Sequence, residues 1–121
     1  MKTQRQTTFD AKLFLDSAGL SRKAIEFRRK QIIYTQGDLS TTVLYIQQGG
    51  VKLCVVNETG KEAVLAILGR GDFFGEGCLA GQAKRMGTAV AIMPTTAVAI
   101  DKFEMVRLLH VELSAPMQKS P

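Results

Sequence analysis

A chain of 121 residues that is 45% hydrophobic and 22% charged supplies one globular core and is too apolar for a disordered segment. Its formal charge of +5 suits anionic ligands or nucleic acid, while two cysteines are too few for a disulfide scaffold or a four-cysteine metal cluster. One histidine provides neither an imidazole metal site nor a hydrolase triad, and no run approaches the roughly 18 apolar residues of a membrane span; the expectation is a non-enzymatic, metal-free, cytoplasmic protein.

Residues 1–8 are polar and expected to be flexible. Ala11, Phe14, Leu15 and Ala18 then recur at helical spacing, with Thr8 placed to cap the start and Gly19 to end it, which predicts a short amphipathic lid helix over 9–18. Beyond Gly19, short apolar runs alternate with glycine turns. They predict strands over 24–27, 31–35, 42–47, 51–57, 62–68, 88–93 and 97–100. The cation run Arg28-Arg29-Lys30 is read as a solvated strand edge, where charge discourages edge pairing, in preference to a nucleic-acid contact. Val51, Leu53 and Val55 alternate with Lys52 and Cys54, the pattern of a strand with one buried face, and Asn57-Glu58-Thr59-Gly60 reads as a hairpin turn. Many short strands at even spacing mean a sandwich or a barrel.

The stretch GDFFGEGCLAGQAKRMGTAVAIM, from Gly71 to Met93, has the punctuation of a binding loop. Phe73 and Phe74 anchor it, and Gly75 and Gly77 let backbone approach a ligand without a Cβ between. A helical turn over 76–80 would present unpaired N–H groups to an anion, and Arg85 would add a planar, bidentate positive charge. Glu76 has no use as a phosphate contact but suits a sugar hydroxyl, so Glu76 and Arg85 read as a ribose-phosphate clamp. The competing reading is a surface ion pair between the two in a loop of turn-forming glycines. Thr88 is expected to face a neighbouring strand. Cys54 and Cys78 are read as packing residues, with Cys78 the more reactive candidate because it begins a helical turn near Arg85.

Pro94 ends the strand before it, with Thr95 and Thr96 continuing the turn. Asp101 with Glu104 three residues on has the form of a capping box, opening a helix whose Phe103, Val106, Leu109 and Leu113 share one face. His110 is expected on its surface. Pro116 and the polar ending stop it, leaving 114–121 flexible.

The run FGEGCLAGQAKRMGTAVA resembles the phosphate-binding cassette of the cyclic-nucleotide-binding domain family, whose pattern is F-G-E, a short helical turn, then R-x-x-T-x-x-A. The flanking IIYTQGD, LYIQQGGVKL and TGKEAVLAILGRGDFFGE fall in that family's order, and the likeness is closest to the sensory domain of Crp/Fnr-type transcription regulators. The resemblance implies a mainly β fold, a double-stranded β-helix (jelly-roll) with an N-terminal helix, a cassette helix and a C-terminal helix, over residues 9–113. It implies cyclic AMP or cyclic GMP as ligand. Arg85 would neutralise the cyclic phosphate, backbone at Gly75, Gly77 and Cys78 would donate to it, and Glu76 would accept from the ribose 2′-hydroxyl. Met86 stands where cyclic-AMP-responsive members have a hydroxyl or small residue, and a thioether neither donates nor leaves that space open. The family's long helix, dimer interface and helix-turn-helix would lie beyond the chain's end, so sequence-specific DNA binding is not expected of this chain alone. Two functions follow: a cyclic-nucleotide-sensing domain, or a ligand-free dimerisation module that pairs with itself or a full-length regulator through the C-terminal helix.

Overall fold

The computed structural model describes residues 23–107 and 109–110. The helix expected over 9–18, both chain ends and Leu113 lie outside the described residues. Among the described residues eight strands form: β1 (Lys23–Phe27), β2 (Ile32–Tyr34), β3 (Thr42–Gln48), β4 (Gly50–Val56), β5 (Glu62–Gly69), β6 (Phe73–Phe74), β7 (Thr88–Ala91) and β8 (Thr95–Asp101). They pair antiparallel in two sheets of order β1-β8-β3-β6 and β2-β7-β4-β5, the strand order of a jelly-roll.

The central strand β3 explains why the roll closes as it does. Its run Val43-Leu44-Tyr45-Ile46 is buried throughout, so it needs cover on both faces. Leu44 and Ile46 meet Val51, Phe74, Ala89 and Ala97 between the sheets. Val43 and Tyr45 point the other way, with Val98 and Ile100, and are covered by Cys78 and Leu79 of the cassette turn and by Met105 and Leu109 of the C-terminal helix. Phe74 and Ile46, among the largest fully buried side chains, each contribute about 1.5–3 kcal/mol through buried apolar surface. The second sheet lacks such cover among the described residues, and Val64, Leu65 and Ile67 of β5 are exposed.

Several expectations need correction. Thr95 and Thr96 begin β8 instead of continuing a turn. The Thr95 hydroxyl is buried and spends its bonding on Gly50, accepting from the Gly50 N–H at 3.1 Å and lying 3.0 Å from the Gly50 carbonyl oxygen, and a β-branched residue suits that strand start. Phe73 and Phe74, read as a loop anchor, pair with Tyr45 and Leu44 as β6. Arg28, Arg29 and Lys30 occupy the exposed turn after the edge strand β1, and Lys30 takes a left-handed φ of 73°. Residues 102–107 and 109–110 are helical. The Asp101 carboxylate accepts from the Phe103 N–H at 2.9 Å, while Glu104 pairs with Arg107 at 2.6 Å, so only half of the expected capping box is formed. The buried helix face carries Met105 and Leu109, one turn apart, whereas Phe103 is 71% exposed and Val106 50%. The face expected to hold Phe103 and Val106 was thus assigned to the wrong side.

Candidate ligand-binding site

Short backbone bonds set the site at one end of β3. The Ile46 N–H donates to the Asp72 carbonyl at 2.9 Å and Gly71 N–H to the Ile46 carbonyl at 2.8 Å, fixing the corner from which β6 returns alongside β3. Gly75 then turns the chain with φ 78°, which opens a 3-10 helix over Glu76–Ala80. Gly81, at φ 88°, ends it. The helical turn expected over 76–80 is therefore present in its tighter 3-10 form, too short to carry a useful dipole of its own.

Arg85 is held at both ends. Its backbone N–H donates to the Asp38 carbonyl at 2.7 Å, and its carbonyl accepts from the Gly37 N–H at 2.8 Å. Its Nη1 donates to the Gly75 carbonyl at 3.0 Å, and Nη2 donates to both the carbonyl and the hydroxyl of Thr42 at 3.0 Å. The guanidinium carbon lies 4.1 Å from the ring centroid of Tyr34, a cation–π stack. Only 7% of Arg85 is exposed, and its Nε is the one buried side-chain nitrogen or oxygen without a hydrogen-bond partner among the described residues. No described carboxylate pairs with it; Glu62 is paired with Lys52 and Glu104 with Arg107. The loop ion pair between Glu76 and Arg85 is not formed.

Beside Arg85 lies a hollow of about 160 Å³. Of the residues expected in the site, Gly75, Glu76, Gly77, Arg85 and Met86 line it, and Cys78 does not. The Cys78 thiol is buried in the cluster behind, with its sulfur 3.5 Å from the Gly75 carbonyl oxygen and 3.8 Å from that of Thr42, two acceptors that Arg85 also uses. Thr88 faces a neighbour, its hydroxyl accepting from the Gln36 N–H at 2.9 Å. Burial pushes the Tyr34 phenol above its ordinary 10.0, Arg85 pulling it down and Glu76 and Cys78 pushing it up. Glu76 and Arg85 therefore act on one ring from within the same site.

Sequence reasoning missed Tyr34, Ser40, Leu53, Leu65, Gln82, Lys84 and Gly87, which complete the lining. Leu53 shared the inward alternation already noticed and was within reach. Leu65 was not: β4 and β5 change register between Leu53 and Cys54, whose partners are Ala66 and Val64, so Leu65 is the extra residue of a β-bulge. Among the described residues no group of three or more metal-ligating side chains forms, and no helix is long and apolar enough to cross a membrane.

The family model of the cyclic nucleotide-binding domain matches residues 24–111. The chain belongs to that family. The cyclic AMP receptor protein of Thermus thermophilus is 34% identical over 78 residues, which are 64% of this chain and 36% of that protein. The cAMP-activated global transcriptional regulator CRP of Haemophilus influenzae is 29% identical over 107 residues, 88% of this chain and 45% of that protein. In structure, the crystallised catabolite activator protein of Thermus thermophilus matches with a TM-score of 0.74 and 26% identity, covering 90% of this chain and 52% of that one. The chain thus spans about half the length of these relatives or less. Their shared domain is the jelly-roll described above, and the family resemblance carried by the cassette motif holds.

Proposed function

We propose that this chain is a sensing domain of a Crp/Fnr-type regulator that binds a cyclic mononucleotide in the hollow beside Arg85, with cyclic AMP the first ligand to test. The observation that carries this reading is a buried guanidinium with no carboxylate partner and its Nε without a hydrogen bond. An unpaired buried charge costs several kcal/mol; carbonyl acceptors and the Tyr34 ring offset part of that, and an incoming anion would offset the rest. The cyclic phosphate would lie against Arg85 and the backbone of Gly75 and Gly77. Glu76 would accept from the ribose 2′-hydroxyl. A hollow of about 160 Å³ is smaller than the roughly 300 Å³ at which small-molecule pockets begin, so it takes the ribose phosphate and leaves the base at the mouth, against Leu53, Leu65 and Met86. The names of the relatives, a cyclic AMP receptor protein and a cAMP-activated regulator, support the choice of nucleotide.

Binding makes and breaks no covalent bond, so its output is mechanical. Cys78 and Leu79 of the cassette turn share a cluster with Met105 and Leu109, so a shift of the turn is felt by the C-terminal helix. That helix would pass the change to a second copy or a regulator partner, in the cytoplasm.

The ligand-free dimerisation reading is favoured by one observation: Phe103 and Val106 leave an apolar helix face exposed. Calorimetry decides between the two. Cyclic AMP should release heat on mixing with the wild-type chain, and Arg85→Ala should weaken binding about 30-fold or more, the cost of removing one partner of a desolvated charged contact. Equal heats from both proteins would remove Arg85 from its role, and no heat from the wild type would favour the dimerisation module.

A further inference from the structure

The phosphate end of the hollow already has an occupant. Gly77 carries no Cβ, and the space one would fill is taken by the Gln82 side chain, whose Oε1 lies in that notch with Cδ 3.1 Å from the Cβ position. The main chain aligns the pair, since the Gln82 N–H donates to the Gly77 carbonyl at 3.1 Å as the 3-10 helix closes. Gln82 lines the same hollow as Gly75, Gly77 and Arg85, and its side chain makes no hydrogen bond among the described residues that would hold it elsewhere. A neutral amide dipole thus stands in the place of an anion, against the glycine meant to let that anion approach.

We infer that Gln82 is a built-in competitor of the ligand: its carboxamide occupies the phosphate end of the site and must swing out before an anion reaches the backbone of Gly77. This rests on the reading of the hollow as a cyclic-nucleotide site and adds what sets its affinity. The side chain is exposed on its outer side and tethered only at its backbone, so displacement costs the contact with Gly77 and no hydrogen bond. The competent form is then a fraction of the population, and apparent affinity falls by that fraction.

Stopped-flow and calorimetric titration of the whole chain with cyclic AMP test this on the wild type, Gln82→Ala and Gln82→Glu. Gln82→Ala should tighten binding about fivefold, the gain expected when a competent population of a fifth becomes the whole, and the gain should appear in the association rate with dissociation unchanged. Gln82→Glu, which puts a carboxylate in the phosphate's place, should weaken binding. A Gln82→Ala chain that binds as the wild type does, or more weakly, overturns the competitor role and makes the carboxamide either a bystander or a ligand contact. Absence of binding in every variant overturns the underlying site as well, so the two failures are distinguishable.

Discussion

Gly49 and Gly75 stand at opposite ends of β3, and both adopt left-handed backbone, with φ of 108° and 78°. At each, a buried polar side chain occupies the place a Cβ would take: the Thr95 hydroxyl at Gly49, and Nη1 of Arg85, 2.7 Å away, at Gly75. The corners differ in how their polar groups are spent. The Thr95 hydroxyl accepts from the Gly50 N–H at 3.1 Å and lies 3.0 and 2.8 Å from the carbonyl oxygens of Gly50 and Met93, so its proton and an acceptor site are both spent within the fold. Arg85 is bonded through Nη1 and Nη2 but keeps Nε unspent and its charge without a carboxylate. A saturated buried polar group holds the architecture together, whereas an unsaturated one at a hollow has something left for a ligand.

Alanine at the two glycines should separate these roles most widely. At Gly49 the added carbon would meet the Pro94 carbonyl oxygen and the Thr95 Cα, both at 2.6 Å, and neither is the tip of a flexible side chain. Gly49→Ala should therefore cost about 3 kcal/mol or more in urea unfolding. At Gly75 the nearest atom is Nη1 at the tip of the Arg85 side chain, which can give way only by loosening its bond to the Gly75 carbonyl, and the Thr42 carbonyl oxygen is 3.3 Å away, so Gly75→Ala should cost about 1–3 kcal/mol. Its larger effect should be on cyclic AMP affinity, through displacement of Arg85. Equal stability losses with binding intact at Gly75 would erase the distinction.

Thr95→Val makes the next largest change. It keeps the shape and leaves the Gly50 N–H without its acceptor, which should destabilise the chain by about 1–3 kcal/mol while leaving affinity for cyclic AMP unchanged. A loss of affinity to match the loss of stability would mean that the closed corner communicates with the open one.

Local signals made a hairpin turn and part of the Gly75 corner legible, and the Gly49 corner not at all. The left-handed turn at Gly60, closed by its N–H to the Asn57 carbonyl at 2.9 Å, follows from four residues, whereas Glu76, Arg85 and the glycines around them stood out from an ordinary ion-paired loop through the likeness to the family's cassette pattern. What stayed hidden depends on partners distant in sequence. Thr42 offers Arg85 two acceptors from 43 residues away, and nothing in its neighbourhood announces that. Thr95 looked like turn material because Pro94 precedes it, yet its strand is decided by Gly50. The helix face was misassigned because Phe103, Val106 and Leu109 fit helical periodicity as well as Met105 and Leu109 do, and only the cluster behind Tyr45 and Ile100 selects between them. The bulge at Leu65 leaves no mark in the hydrophobic pattern, since residues 63–68 are apolar throughout and fit either register.

The smallest effect should come from the ring beneath the guanidinium. Burial, helped by Glu76 and Cys78 and opposed by Arg85, holds the Tyr34 phenol above its ordinary 10.0, so the folded state keeps this proton more tightly than the unfolded chain does. The contribution is fully present below about pH 10 and is lost as pH rises through the folded value. The stability difference between the wild type and Tyr34→Phe should therefore be constant from neutral pH to about pH 9 and move against the wild type above about pH 10. A phosphate bound at Arg85 adds negative charge near the same ring, so saturating cyclic AMP should push the tyrosinate absorbance of Tyr34 to higher pH still. Thr95 has no titrating group to answer with, so an alkaline shift on ligand addition reports the open corner alone. A tyrosinate titration indifferent to cyclic AMP would place the bound anion away from Arg85, on a wall of the hollow that Tyr34 does not sense.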